Sequence, residues 1–159
     1  MSRDETGAAE HGDRNAIGAI IERQFASLSW SPAAPANWKA FAADFLPGAS
    51  LYPAARPAAA QSVPAFVERM RGLAKSKLKC FNETPLGRQI FIFGSVAIAV
   101  TACRIIENGA QVSHGVEMML LIKTADRWQI VAQAWDTERT SQPIPKALLA
   151  SNGRPVSPS

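Results

Sequence analysis

From Leu78 to Glu138 the chain keeps returning to the two-residue rhythm of β-strands, broken only by short turn signals. The strands read as Leu78 to Glu83, Arg88 to Phe93, Val96 to Glu107, Gln111 to Thr124 and Arg127 to Glu138. Connectors this short join strands only as antiparallel neighbours, since a parallel pair needs a crossover of about a dozen residues or more. Gly94-Ser95 and Asn108-Gly109 suit two-residue hairpins, and Ala125-Asp126 makes the loop of the last one. Helical patterns fill the first half. Asp13 can cap a helix running to about Leu28, with Ile17, Ile20, Ile21, Phe25 and Leu28 in one apolar stripe. Asn37 caps a short helix with Trp38, Phe41 and Phe45 on one face, and Ala49 to Tyr52 reads as a short strand. Ser62, with Pro64 in the first turn, starts a third helix carrying Phe66, Val67, Met70 and Leu73. Helices first and a meander after them predict an α+β domain in which the helices cover one face of a sheet.

The remaining composition narrows the function classes. With 159 residues and 47% hydrophobic content, a single domain at 13–145 can bury a core, between a disordered leader at 1–12 and a flexible C-terminal tail at 146–159. No apolar run approaches the roughly 20 residues that span a bilayer, so no membrane partner is expected. Cys80 and Cys103 lack CxxC spacing and read as free thiols in a reducing cytoplasm. The net charge of +4 and pI near 9.4 raise a nucleic-acid reading, resting on Arg69, Arg71, Lys75, Lys77 and Lys79. No aromatics interleave with these residues and no binding motif accompanies them, so they read as a solvated helix face, with no nucleic-acid partner. The two histidines, His11 and His114, stand apart from any Cys/His cluster, so no metal site is expected. There is no GxGxxG, P-loop or GxSxG pattern, and no cofactor is implied.

Turn positions set register, and register sets which side chains share a face. Counting from the three hairpin loops puts Glu117 opposite Val100 and Ala134, and Gly115 opposite Ala102 and Asp136. One face then holds Phe91, Ile98, Val100, Met119, Leu121, Ile130, Ala132 and Ala134, with Gln89, Arg104, Glu117 and Asp136 embedded in it. The other carries Ile90, Ala99, Cys103, Met118, Leu120, Val131 and Trp135. Both are apolar, and three helices can cover only one. A leftover apolar face on a soluble domain points to a second copy of the chain.

The run Asp44-Phe-Leu-Pro-Gly-Ala-Ser-Leu, a third helix, and a meander closing on Arg127-Trp-Gln-Ile-Val resembles the nuclear-transport-factor-2-like superfamily. That group includes ketosteroid isomerase and the SnoaL-like polyketide cyclases. Phe81-Asn-Glu83, Phe93-Gly-Ser-Val-Ala-Ile-Ala and Ala134-Trp-Asp-Thr-Glu138 with Pro143-Ile-Pro145 look like an uncharacterised bacterial branch of it, the likeness covering about Asp13 to Pro145. The resemblance implies a cone in which a strongly curved, mostly antiparallel sheet wraps three N-terminal helices around a pocket, and a homodimer through the opposite face. It does not bring the known catalysts with it. The isomerase base falls near Tyr52-Pro53 and its oxyanion-hole acid near Met119, neither of them a carboxylic acid, and the cyclase histidine falls near Ala134.

The candidates for chemistry are therefore read from the residues themselves. Glu117, in an apolar wall, would have its pKa raised by desolvation, which suits a general acid or base. Asp136 pairs either with Glu117 or with Arg104, the latter as a structural ion cluster. Tyr52 reads as a hydrogen-bond donor to a ligand carbonyl or as a rim aromatic, with Gln89, Arg104, Met119 and Ala134 lining the pocket. Glu83 reads as a turn cap and His114 as an outer-face residue. The expected ligand is a small apolar or carbonyl-containing molecule. Three readings stay open: ligand binding, isomerase, cyclase or dehydratase chemistry on a pocket carboxylate, and a non-catalytic protein-interaction domain.

Overall fold

The computed structural model describes residues 3–150. Helices α1 (Arg3–Leu28), α2 (Trp38–Ala43) and α3 (Val63–Lys75) pack against a six-stranded sheet, and a short α4 (Lys146–Ala150) follows it. The strands are β1 (Phe45–Tyr52), β2 (Gln61–Ser62), β3 (Phe81–Phe93), β4 (Val96–Glu107), β5 (Gln111–Thr124) and β6 (Arg127–Thr137), in the spatial order β2-β1-β6-β5-β4-β3. Only the β1–β6 pair is parallel. The α+β class and the helix-covered, mostly antiparallel sheet are as the sequence indicates.

The expected apolar stripes build the core. Ile17, Ile20, Ile21, Phe25 and Leu28 of α1 are buried with Phe41, Phe66, Val67 and Met70 against Ala97, Ala99, Cys103, Met119, Leu121 and Ile130 of the sheet. Asn37 caps α2 by accepting from the Ala40 N–H, and Ser62 caps α3 by accepting from the Ala65 N–H.

Two terminal expectations change. α1 starts at Arg3, so residues 3–12, read as a leader, are helical. Asp13 is consequently no cap. Its Oδ1 accepts from Lys123 Nζ at 2.8 Å and from the Trp128 indole N–H at 2.9 Å, tying α1 to the β5–β6 turn. At the other end, residues 144–149 pack on the sheet instead of hanging free. Ile144 and Leu148 are buried on Ala102, and Glu138 Oε2 accepts from the Ile144 N–H at 2.8 Å. Gly87 makes this possible, because a Cβ there would run into the Leu148 carbonyl. The rest of the expected tail lies outside the described residues.

Three departures from simple alternation decide the faces. The Gly94-Ser95 and Ala125-Asp126 turns hold the expected register, with Phe93 opposite Val96 and Lys123 opposite Trp128. The β4–β5 loop takes three residues instead of two. Asn108 and Gly109 adopt positive φ, Ala110 joins the turn, and Glu107 pairs with Gln111. The Asn108 side chain holds this loop by accepting from the N–H groups of Lys79 and Cys80. Register shifts by one, so Thr101 faces Glu117 and Val100 turns to the other side. A bulge at Val131 follows, as Leu121 pairs with Ile130 and Leu120 with Ala132. A second bulge at Leu86 leaves Pro85 opposite Cys103 and Gly87 opposite Ala102.

Candidate functional site

The bulges choose the polar residues of the inner face. Strict alternation from buried Ile90 would send Thr84 inward and Glu83 outward. The extra residue at Leu86 puts Glu83 opposite Ile105 on the helix-covered face, where it is 6% exposed. The backbone there is clamped. Phe81 exchanges two backbone hydrogen bonds with Trp30 and stacks on its ring, and the Glu83 N–H donates to Ser29 Oγ. Across β4, Glu117 faces inward at 8% exposed. The bulge at Val131 turns Gln133 and Trp135 inward beside it. Gly115, opposite Cys103, lets β5 lie close on β6; a Cβ at Gly115 would stand 2.7 Å from the Asp136 carbonyl oxygen.

The carboxyl groups of Glu83 and Glu117 meet within hydrogen-bond reach. Gln133 Nε2 donates to Glu117 Oε2 at 2.7 Å. Among the described residues no lysine, arginine or histidine forms an ion pair with either glutamate. Burial raises the Glu117 carboxyl well above the usual carboxylate range, and the neighbouring Glu83 charge and hydrogen bond push the same way. Burial also raises Glu83, against the pull of its hydrogen bonds with Glu117 and Cys103. Both carboxyls are thus pushed toward their protonated forms, and a proton on the pair offsets the repulsion between them. The Cys103 thiol is pushed far up, by burial first and then by the two glutamates, and stays protonated.

The pair sits in the wall of a cavity of about 260 Å³ between α1, α2, α3 and the sheet. Phe25, Leu28, Phe41, Phe66, Phe81 and Trp135 supply its apolar lining. Arg69 lies at the mouth with its guanidinium 5.4 Å from the Phe66 ring centre, and His114 and Glu107 are also there. An apolar chamber with a few convergent polar groups is the usual form of a small-molecule site.

Solved structures provide the comparison. The chain resembles a hexachlorocyclohexane dehydrochlorinase from Novosphingobium barchaimii, with TM-score 0.67 and 9% identity over 82% of this chain and 89% of that one. It resembles a candidate scytalone dehydratase from Novosphingobium aromaticivorans, with TM-score 0.65 and 14% identity over 89% and 97% of the two chains. A nuclear-transport-factor-2-like protein of unknown function from Pseudomonas putida matches with TM-score 0.65 and 12% identity over 83% and 92%. The chain has the nuclear-transport-factor-2-like fold. No family model matches the sequence, and no curated protein matches it.

Within this nuclear-transport-factor-2-like cone, most of the expected site residues fall elsewhere. Glu117 is in the cavity wall as its strand pattern indicates. Asp136 borders the cavity at its edge, but the bulge puts it opposite Val116 on the outer-face side, where it also borders the outer-face cavity. There its Oδ1 accepts from the Thr137 N–H and from Arg139 at 2.9 Å, contacts that hold it below the usual carboxylate range, and it pairs with neither Glu117 nor Arg104. Arg104 is exposed on the outer face through the three-residue turn. Gln89 and Ala134 border an outer-face cavity beneath Ile144 and Leu148, again on the far side from Glu117. Tyr52 lies next to Ala134 and is 39% exposed on that same outer face. Met119 faces inward but is packed solidly in the core at 2% exposed, clear of the cavity. Trp135, expected outside, is inside, and His114 lines the cavity mouth. The residues missed were Glu83, Gln24 and Gln133. Their only sequence signal is a polar side chain inside an otherwise apolar stripe.

Proposed function

We propose that the protein binds a small, largely apolar molecule in the cone and moves protons on it with the Glu83–Glu117 pair. The observation carrying this reading is the pair itself: two buried carboxyl groups side by side, both pushed toward protonation and with no cation paired to them among the described residues, in the wall of a cavity that opens at Arg69. Keeping such a pair costs stability that apolar residues would not. It supplies a carboxylate and a carboxylic acid side by side, the equipment of general base and general acid. The reaction class is an elimination. Glu83 takes a proton from carbon, Glu117 gives its proton to the departing hydroxyl, and water leaves as the carbon–carbon double bond forms. The proton gained by Glu83 then crosses the shared hydrogen bond to Glu117, and the pair is restored. Solved proteins of the same fold that are described as a dehydratase or a dehydrochlorinase support this class.

The outer face supports a homodimer. Phe91, Ile98 and Leu120 form one row across the sheet, and Val100, Met118, Ala134 and Tyr52 the next. Phe91 is 59% and Met118 57% exposed, a contiguous apolar patch of the kind that marks an interface.

Native mass spectrometry of the purified protein should reveal a co-purifying small molecule and a dimer mass. For the chemistry, a panel of small β-hydroxy ketones in D2O is followed by proton NMR. Loss of water or exchange at the carbon next to the carbonyl is expected for wild type and abolished in the Glu83→Gln/Glu117→Gln double variant. Equal rates in the two proteins would remove the pair from any catalytic role.

A further inference from the structure

A second cavity, on the face of the sheet away from Glu83 and Glu117, takes no part in the proton chemistry. Its roof is the segment that follows β6. Arg139 and Gln142 exchange two backbone hydrogen bonds, closing a turn, and the Leu148 N–H donates to the Pro145 carbonyl as α4 begins. Between these points Pro143 and Pro145 have no N–H to offer a neighbouring strand, so the segment arches over the sheet instead of joining it. Ile144 and Leu148 pin the arch to Ala102. Val100, Val116, Met118 and Ala134 form the floor, and Ala134 puts only a methyl group beneath the arch. The hollow that remains is about 530 Å³, within the range of small-molecule sites.

The lining decides what fits. It is mostly aliphatic, and the one aromatic residue beside it, Trp135, turns its ring to the opposite face, edge-on to Phe66 at 5.7 Å. Such a wall takes up an alkyl chain by burial of apolar area and offers no ring to stack on. The charged residues at the rim are Arg56, Asp136 and Glu138. Both acids already have donors. Asp136 accepts from Arg139 at 2.9 Å, while Glu138 accepts from the Ile144 N–H and lies 3.7 Å from His114 Nδ1. Arg56 is exposed and donates only to carbonyls of its own loop, those of Pro53 and Ala55, both through one guanidinium nitrogen. Among the described residues no carboxylate pairs with it. The rim thus has a cation without an anion, and its remaining N–H groups suit a carboxylate.

We infer that this cavity is a second ligand site, binding a free medium-chain carboxylic acid as its anion, with the alkyl chain beneath Ile144 and Leu148 and the carboxylate on Arg56. The site is independent of the Glu83–Glu117 chamber and stands whether or not that pair is catalytic. Val100, Met118 and Ala134 also belong to the exposed rows of the dimer face, which makes a second copy of the chain the competing occupant. The arch shelters the hollow from a flat partner sheet, and an apolar partner would leave Arg56 unmatched.

Octanoate, octylamine and octanol, matched in length, are titrated into the full-length protein below micelle-forming concentrations. Methyl NMR signals of Ile144, Leu148 and Met118 report on this cavity, and those of Leu28 and Met70 on the chamber. Octanoate should shift the first set and leave the second unmoved, binding about tenfold more tightly than octanol or octylamine, the worth of one charge-assisted contact. Arg56→Gln, in an exposed loop, should remove that preference and leave octanol binding unchanged. Ala134→Leu, which fills the floor, should abolish binding of all three. Octylamine or octanol binding as tightly as octanoate, or octanoate binding Arg56→Gln as tightly as wild type, would overturn the assignment. Octanoate shifting only Leu28 and Met70 would support the chamber as a ligand site and overturn this one. Signals of Ile144 and Met118 that answer to protein dilution and not to octanoate would mean that a second copy fills the hollow, and the proposal would fall. A titration that moves neither set of signals ends it equally.

Discussion

Replacing Glu117 by glutamine should make the protein more stable, and the gain should grow with pH. Glu117 is 8% exposed and Glu83 beside it 6%, with no cation paired to either among the described residues. Burial and the Glu83 charge raise the Glu117 carboxyl well above its ordinary range. A carboxyl whose folded-state pKa is raised contributes its stability fully below the unfolded value, about 4.3, and loses it as pH rises through the folded value. Wild type therefore weakens through neutral and alkaline pH, where the pair is pressed to give up its proton. The amide does not titrate. It keeps an acceptor for Gln133 Nε2, now at 2.7 Å, and offers an N–H to the Glu83 carboxylate, so no partner is stranded. Removing an uncompensated buried carboxyl while keeping its hydrogen bonds should yield about 2 kcal/mol at pH 8, on the scale of a buried polar group without its partner. For a chain of this length that is about 4–8 °C in Tm. Melts followed by circular dichroism at pH 4.5 and pH 8.5 should show little difference at the first and the full gain at the second. A loss of about 3–5 kcal/mol at both would mean that a cation holds Glu117 as a buried ion pair, and the argument for a protonated pair would fail.

Asp13→Ala should cost about 1–3 kcal/mol at pH 7, because it strands the buried Trp128 indole N–H. Burial works against the Asp13 carboxylate, but the hydrogen bonds from Lys123 and Trp128 hold its pKa below the usual value. Its contribution is therefore present above the unfolded value of about 3.9 and lost as pH falls through the folded one, so urea melts of variant and wild type should converge below about pH 4. Leu148→Ala should cost about 2 kcal/mol through the small cluster on Ala102, and Gly87→Ala should displace α4, exposing Ile144 amide protons to faster hydrogen exchange. Unchanged protection in Gly87→Ala would mean that α4 stays seated against β3. Leu120→Glu, on the exposed apolar rows, should yield monomer by light scattering with the melting temperature little changed; an intact dimer would place the interface elsewhere.

The order of elements, the helical stripes with their Asn37 and Ser62 caps, and two of the three hairpin registers were all legible in the residues, because each depends on neighbours within a few positions. Glu117 was legible for the same reason. It lies on β5, counted from the Ala125-Asp126 turn without crossing any irregularity on its own strand. Its partner Glu83 and the inward Gln133 and Trp135 were not, since each lies beyond a bulge. A bulge is one extra residue whose place is chosen by how two strands and the layer above them pack, and it inverts every side chain that follows. Asn108-Gly109 carried a real turn signal, yet the loop length depended on the Asn108 side chain reaching backbone N–H groups of Lys79 and Cys80, nearly thirty residues away. The sequence by itself thus determined that a carboxylate would face a helix-covered chamber. Only the tertiary structure decided that it would meet a second carboxylate there rather than Asp136 or Arg104, because facing across a sheet is a property of paired strands and not of either strand alone.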